Sequence, residues 1–174
     1  ILGGGICGLL HLLTAAAQGI GSIIVTDISE YRLKMAKNLG ANSIINAKDD
    51  VVKMLLKANN NRLADQVIIC TGATEAFMQS LQCVDRAGTI LCFAATEPGV
   101  TLPVPVNDFW RNSVKIMHSY GGSPSDIIQA IELLRTGVVD VKKLITHSLN
   151  LSEAAKGFQL VAEAKECIKV ILKP

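Results

Sequence analysis

Short β-branched runs alternate along the chain with segments of helical period. Five of these runs indicate strands, and each is continuously apolar: SIIVTD (22–27), NSIINA (42–47), DQVIICTG (65–72), GTILCFA (88–94) and VKIMHSY (114–120). Continuous apolar runs, unlike alternating ones, are typical of parallel strands that helices cover on both faces. The alternation of strand and helix therefore predicts right-handed βαβ crossovers in an α/β fold.

The segments between the strands carry helix start and stop signals. A capping side chain precedes each predicted helix, and a glycine ends most of them: Ser29 to Gly40, Asp49 onward, Thr74 to Gly88, and Ser123 to Gly137. Pro124 supports the last of these starts, because proline suits the first turn of a helix. In that helix Ile127, Ile131 and Leu134 fall on one stripe, which predicts an apolar face.

The chain opens on ILGGGICGLL, where glycines stand directly against an apolar run. We interpret Ile1 and Leu2 as the end of a first strand and residues 3–8 as a turn. The first helix is then LLHLLTAAAQG, which ends at Gly19 or Gly21. A strand of two residues is too short for the centre of a sheet, so we expect the chain to be part of a longer enzyme.

Three of the opening glycines, Gly3, Gly5 and Gly8, have the G-x-G-x-x-G spacing. In a strand–turn–helix unit the first permits a tight turn, the second lets backbone approach a pyrophosphate, and the third lets the helix pack on the strand. The helix N-terminus then offers free N–H groups to the anion. The motif alone is weak, because glycine-rich turns occur in many loops.

An acidic residue strengthens the motif. Asp27 ends the second predicted strand, nineteen positions after Gly8, where a carboxylate can accept two hydrogen bonds from a ribose diol. Taken alone, it could equally be a turn residue beside Ser29. Because a carboxylate would repel a 2′-phosphate, NAD is favoured over NADP. Arg32, one helical turn along, either lies over the adenosine ribose or is a solvated arginine, and the sequence leaves both open.

Composition sets broad limits. The 174 residues, 49% hydrophobic and 18% charged, suit one ordinary globular domain. The net charge of +2 comes from scattered residues and not from a basic stripe, so nucleic acid is not an expected partner. The apolar stretches are too short to span a bilayer, and no cleavable leader is evident. We therefore expect no membrane partner and a cytoplasmic location.

The side chains that could bind metal or react are spread along the chain. The five cysteines are widely spaced and predict reduced, buried thiols, with a disulfide or a metal site as the alternative: Cys7, Cys70, Cys83, Cys92 and Cys167. No cysteine and histidine stand at metal-ligand spacing. We interpret His11, His118 and His147 as packing or surface histidines. Glu97 and Asp108 are interpreted as solvated loop carboxylates, with a substrate cleft or an intersubunit surface as the alternative.

Five segments recur in order at the intervals of a known family: ILGGGICGLLHLL, VTDISEYRLKMAKNLGA, DQVIICTGA, AGTILCFAA and LITHSLNLSEAAKGFQL. Over its whole length the chain resembles the cofactor-binding half of the zinc-dependent medium-chain alcohol and polyol dehydrogenases, with the sorbitol and threonine dehydrogenase branch closest. The resemblance implies a doubly wound parallel sheet of the Rossmann type with strand order 3-2-1-4-5-6. It also implies an NAD-binding domain at 1–137 and a C-terminal segment, 138–174, that belongs structurally to the catalytic domain.

The resemblance also implies a set of cofactor contacts. The pyrophosphate turn would comprise Gly3, Gly5, Cys7 and Gly8, and the adenosine ribose would meet Asp27 and Arg32. Backbone beside the nicotinamide would come from Phe93, Ala94 and Ala95, and the carboxamide would be held by Ser119, Tyr120 and Gly121. Two features depart from the family: Ile6-Cys7 stands where Pro-Ile is common, and Ala94-Ala95 stands where Gly or Val is common.

The resemblance places the catalytic zinc outside these 174 residues, and this limits the function expected of the chain alone. In the family a catalytic zinc is held by an N-terminal barrel-like domain of roughly 150 residues, and the substrate is a small alcohol or polyol. We expect this chain alone to bind NAD(H), to bind no zinc and to turn over no alcohol. Apolar tail residues would lack support without that domain: Leu144, Ile145, Leu149, Phe158, Ile168, Val170 and Leu172. We also expect a homodimer or homotetramer through the sheet edge around 103–116.

Three classes of function fit the glycine turn and the acid. The first is the cofactor-binding part of an oxidoreductase, which the resemblance favours. The second is an S-adenosylmethionine methyltransferase, although CTGA after the fourth strand and the lack of an antiparallel seventh strand argue against it. The third is a nucleotide sensor without catalysis, which stays open because this chain shows no catalytic group.

Overall fold

The computed structural model describes all 174 residues. The helices are α1 (Ile6–Ala17), α2 (Glu30–Asn38), α3 (Val51–Ala58), α4 (Thr74–Cys83), α5 (Val106–Arg111), α6 (Pro124–Arg135) and α7 (Ala154–Glu163). The strands are β1 (Ile24–Asp27), β2 (Ser43–Asn46), β3 (Ala64–Ile69), β4 (Val84–Cys92), β5 (Lys115–His118), β6 (Ile145–Asn150) and β7 (Lys169–Lys173). Two short 3-10 turns precede β6 and α7. No helix combines the length and the apolar character needed to cross a bilayer.

The main sheet is parallel throughout, and Leu2 connects its two halves, the β1–β2 pair and the three strands β3, β4 and β5. β1 pairs with β2, and β3, β4 and β5 pair in that order. Leu2 bridges Thr26 of β1 on one side and Ile69 of β3 on the other. Counted along the chain, the strand order is 3-2-1-4-5-6, which confirms the predicted doubly wound Rossmann topology.

The central strand position is held by Ile1 and Leu2 alone. The backbone nitrogen of Ile1 donates to the carbonyl of Ile24 at 2.8 Å. The neighbouring strands run on past Ile1 and flank a cavity of about 390 Å³, which includes Ile24 and Gln66 in its lining.

Helices pack on both faces of the sheet at β1 and β2, as the continuous apolar strands predict, whereas β3, β4 and β5 have a buried core on one face only. One core packs α3 and α4 against the sheet around Leu55, Ile69 and Ile90. The other packs α1 and α2 against the opposite face around Leu12 and Val25, which are fully buried. β1 and β2 contribute side chains to both cores, and alternation of apolar and polar residues is absent from their sequences. β3, β4 and β5 contribute side chains only to the core around Ile69.

Several boundaries differ from the sequence prediction. α1 begins at Ile6, so Gly8 lies inside the helix and not in the turn. β4 begins at Val84, directly after α4 ends at Cys83, although the sequence predicted the strand to begin only at Gly88; pairing of Val84 with Ala64 takes that segment into the sheet. The cap of α3 is the side chain of Asp50, not Asp49.

Two further boundaries and a new helix depart from the prediction. α5 lies in a segment interpreted as a loop. β5 ends at His118, two residues before the predicted end, and Thr74 is the first residue of α4, not its cap. Of the two glycines proposed to end α1, Gly19 does so, with the positive φ of +79° that suits glycine.

α6 forms where its signals predict, but none of its residues is buried. Ser123 accepts a hydrogen bond from the N–H of Asp126, whose carboxylate accepts one from Ser123 in return. The predicted stripe of Ile127, Ile131 and Leu134 is 58%, 54% and 48% exposed. The helix is therefore set by local capping, and its apolar face has no partner within the 174 residues.

The tail forms a small unit on the α1 face of the sheet. β6 and β7 make a separate parallel pair, which α7 covers. The tail was expected to lack support, but Leu144 is 1% exposed and Ile168 is 8% exposed, because both join the core around α1 and β1. Phe158 and Ile145 match the expectation better and are 74% and 42% exposed.

Candidate dinucleotide-binding site

The glycine turn connects the central strand position to α1. Gly3 has a φ of +99°, a conformation that side chains disfavour, and its N–H donates to the carbonyl of Thr26 at 2.9 Å. A Cβ at Gly8 would lie 1.9 Å from the carbonyl oxygen of Gly3, so α1 rests directly on the turn. Gly5 caps α1 without a side-chain hydrogen bond, which leaves the first-turn N–H groups available to an anion.

Asp27 fastens this turn to β1. Its side chain is almost fully buried, and its Oδ2 accepts from the N–H of Gly4 at 2.7 Å. Its Oδ1 accepts from the N–H of Ser29 at 2.8 Å, at the entry to α2. Each carboxylate oxygen has a second lone pair, so Asp27 can hold the turn and still accept from a diol.

Arg32 closes the same corner. Its Nη1 lies 3.7 Å from Asp27 Oδ2 and 3.9 Å from where a Cβ of Gly5 would stand. Its Nε is buried and has no hydrogen-bond partner. Of the two interpretations of Arg32, this placement supports a position over the turn, because a solvated arginine would satisfy its Nε with water.

The carboxyl ends of β3, β4 and β5 meet on the other side of the turn. The N–H groups of Phe93 and Ala94 both donate to the carbonyl of Ile69, at 3.1 and 2.9 Å, and Ser119 donates to the carbonyl of Cys92 at 3.1 Å. A Cβ at Gly72 would lie 2.8 Å from the carbonyl oxygen of Ala95, so the loops after β3 and β4 are in close contact. The sequence prediction had not singled out Gly72.

The third predicted loop is more open. Tyr120 is fully exposed, and Gly121 has a positive φ of +68°. The structure brings Ser119, but not the Tyr120 side chain, against the β4 end. The predicted contacts of these residues are backbone contacts, so the exposed ring is compatible with them.

His11 is a packing histidine, as the sequence predicted, and the residue it packs against lies at the candidate site. Its ring lies edge-to-face against Phe93, with centroids 4.6 Å apart and planes at 85°. Burial lowers the pKa of His11, because the charged imidazolium loses its hydration. The signal for its position was present in the sequence, since His11 is four residues after Cys7 and lies on the same face of α1.

The remaining reactive side chains are dispersed. All five cysteines are free; Cys7 and Cys70 are half-buried and the other three are buried. Burial raises the pKa of Cys70 to about 12, so its thiol stays protonated at neutral pH. Glu97 and Asp108 are exposed, and His147 lies 3.0 Å from the hydroxyl of Thr146.

The residues present do not fit a zinc ion. A protein zinc site takes at least three histidine, cysteine or carboxylate ligands around one point. No three histidine, cysteine, aspartate or glutamate side chains lie close enough together here to form such a site. These 174 residues therefore offer no ligand set for zinc.

A glycine turn and an acidic residue at the point where strand order reverses define a dinucleotide-binding fold of the Rossmann class. The chain belongs to the zinc-binding dehydrogenase family, whose pattern matches residues 7–136. It is 30% identical over 176 aligned residues to L-threonine 3-dehydrogenase of Bacillus licheniformis, covering 100% of this chain and 50% of that one. It is also 30% identical over 176 residues to sorbitol dehydrogenase of Bacillus subtilis, covering 100% and 49%.

Solved structures agree with the fold. Benzyl alcohol dehydrogenase from Acinetobacter calcoaceticus superposes with a TM-score of 0.90 at 28% identity, covering 99% of this chain and 48% of that one. Alcohol dehydrogenase from Thermus sp. ATN1 superposes with a TM-score of 0.92 at 24% identity, covering 99% and 50%. The chain therefore spans about half the length of the relatives it matches.

Proposed function

We propose that the chain is the NAD(H)-binding half of a dehydrogenase that transfers a hydride between nicotinamide and a secondary alcohol or polyol. The observation that carries the proposal is the corner where the buried Asp27 carboxylate holds the glycine turn beside the unpartnered Nε of Arg32. Its donors and acceptors suit a pyrophosphate and a ribose diol. Relatives that match over 95% or more of this chain are named as dehydrogenases of threonine, sorbitol and arabinitol.

This chain's part in such a reaction is to bind and orient the cofactor. Asp27 would accept from the adenosine ribose, and α1 would direct its first N–H groups at the pyrophosphate. The bound nicotinamide would supply hydride acceptance and donation. The carboxyl ends of β4 and β5 would position it. We propose NAD over NADP because a 2′-phosphate would meet the Asp27 carboxylate.

The edge of the main sheet suits a second copy. β5 pairs with β4 on one side only, and Met117 on β5 and Trp110 on α5 are 54% and 76% exposed. An unpaired strand edge beside apolar side chains is a template for strand pairing across a two-fold axis. We propose that the protein forms a homodimer through this edge.

Titration of the chain with NADH, followed by nicotinamide fluorescence, tests the proposal. We expect saturable binding, weaker binding of NADPH, and no competition from S-adenosylmethionine. Tight binding of S-adenosylmethionine without binding of NADH would reject the proposal in favour of a methyltransferase. Oxidation of an alcohol by the 174 residues alone would contradict the assignment of a purely cofactor-binding role.

A further inference from the structure

The His11 and Phe93 rings make the one aromatic pair in the structure. Their edge-to-face packing bridges two elements that meet at the candidate site. His11 lies on α1, one turn beyond Cys7, and Phe93 is the first residue after β4. The pair therefore joins the helix that would bind the pyrophosphate to the end of a strand across the switch point.

The position of Phe93 along the sheet can be counted in strands. From β1, which ends at Asp27, the order passes through the Leu2 position and β3 to β4, which ends before Phe93. Three strand spacings of about 4.8 Å place Phe93 about 14 Å from the Asp27 position. An extended dinucleotide with its adenosine ribose at Asp27 and its pyrophosphate at α1 would bring its second ring to this region.

Phe93 is held in place yet exposed. Its N–H donates to the carbonyl of Ile69, and the residue before it, Cys92, is buried. Its own side chain is nevertheless 40% exposed. A neighbouring aromatic ring restricts the side chain before any ligand arrives, so stacking on Phe93 would cost little conformational entropy.

We propose that the Phe93 ring is the platform on which the nicotinamide ring of the bound cofactor stacks, and that His11 is the positioning residue that holds it. The inference rests on the proposed function. It assigns roles to two side chains where the sequence had predicted only backbone contacts at 93–95 and a packing histidine on α1.

The state of His11 is compatible with this role. Burial lowers its pKa, so the imidazole is neutral at neutral pH. A neutral ring does not repel the positive charge of oxidised nicotinamide, and the face of Phe93 attracts it.

A ligand that lacks only the nicotinamide separates this role from cofactor binding in general. NADH and ADP-ribose are titrated by calorimetry against wild type, Phe93→Leu, His11→Asn and His11→Phe, and NADH emission is recorded. Phe158→Leu is the matched control, because Phe158 is 74% exposed on α7 in the tail unit. Thermal unfolding of each variant confirms that it is folded.

We expect Phe93→Leu to weaken NADH binding by about tenfold, the range of one aromatic stacking contact, and to change ADP-ribose binding by less than about twofold. His11→Asn should weaken NADH binding by about threefold, and His11→Phe should restore it because an aromatic ring is retained beside Phe93. The enhanced emission of bound NADH should fall in Phe93→Leu only.

Equal effects on NADH and ADP-ribose, or no effect on either, would overturn the stacking role and leave the proposed function standing. Failure of the wild type to bind ADP-ribose and NADH would overturn the proposed function and this inference together. Equal NADH losses in Phe158→Leu and Phe93→Leu would also overturn the stacking role.

Discussion

The Asp27 carboxylate accepts a hydrogen bond from the N–H of Gly4 at 2.7 Å, across 23 residues of sequence. The acidic residue is therefore part of the glycine turn and not merely its neighbour. One buried side chain sets the shape of the turn and supplies the negative charge proposed to select the cofactor. The conformation of the glycine turn and the proposed preference for NAD therefore depend on the same side chain, which the sequence spacing alone did not indicate.

Asp27→Asn should weaken NADH binding by about tenfold, because hydrogen bonds to a charged acceptor are worth about 1.5–3 kcal/mol. The NADPH-to-NADH affinity ratio should rise, because the repulsive charge is gone. Fluorescence titration with both cofactors measures this. Asp50→Asn is the control, since Asp50 makes a similar cap at α3 and accepts from Lys53 at 3.0 Å. An unchanged ratio in Asp27→Asn would mean that another group selects the cofactor.

Gly8→Ala should lower the free energy of unfolding by at least about 2 kcal/mol, because its Cβ would lie 1.9 Å from the carbonyl oxygen of Gly3. Either α1 or the turn must move. Gly21→Ala is the control, with nothing within 4 Å of its Cβ, and should change stability by less than about 0.5 kcal/mol. Urea unfolding measures both, and equal stabilities would show that the turn adapts without cost.

The stability of the chain should fall as the pH decreases below about 7, partly because of His11. Its pKa in the folded chain lies below the ordinary 6.5, so the unfolded chain binds the proton first. The stability that neutral His11 contributes is fully present at pH values above its ordinary pKa of 6.5. It is lost as the pH falls from that value to the lower pKa of His11 in the folded chain. His11→Gln should flatten this part of the curve, measured by urea unfolding between pH 7 and 5.

His118→Gln provides the comparison for that experiment, because His118 is exposed at the sheet edge. The same slope in His11→Gln and wild type would show that the burial of His11 does not disfavour its protonation.

Met117→Lys should dissociate the proposed dimer, because it places a charge on β5, the strand whose unpaired edge would form the interface. Sedimentation equilibrium at micromolar concentration should change from dimer to monomer. Ile128→Lys, at a residue 62% exposed on α6, is the matched change on another apolar surface and should leave the dimer intact. A monomeric wild type would contradict the proposed dimer directly.

Element types could be predicted from sequence because each depends on nearby residues. The β-branched runs and the capping signals at Ser29 and Ser123 act within a few residues, and the corresponding helices begin where expected. The start of β4 at Val84 could not be predicted in this way. Val84 leaves the helix to pair with Ala64, twenty residues earlier, and a local pattern does not contain that contact.

The candidate site, too, has features that nearby residues determine and features that depend on contacts between distant segments. The sequence by itself determined the parallel α/β class, the glycine turn and the position of Asp27 at a strand end, because periodicity and spacing are local properties. Only the tertiary structure decided that Asp27 binds Gly4, that Arg32 Nε is left without a partner and that His11 packs on Phe93. It also decided that Leu144 and Ile168 are buried while the α6 stripe is exposed. The reason is physical: these outcomes depend on contacts between segments far apart in sequence, and burial and hydrogen bonding are settled only when those segments pack.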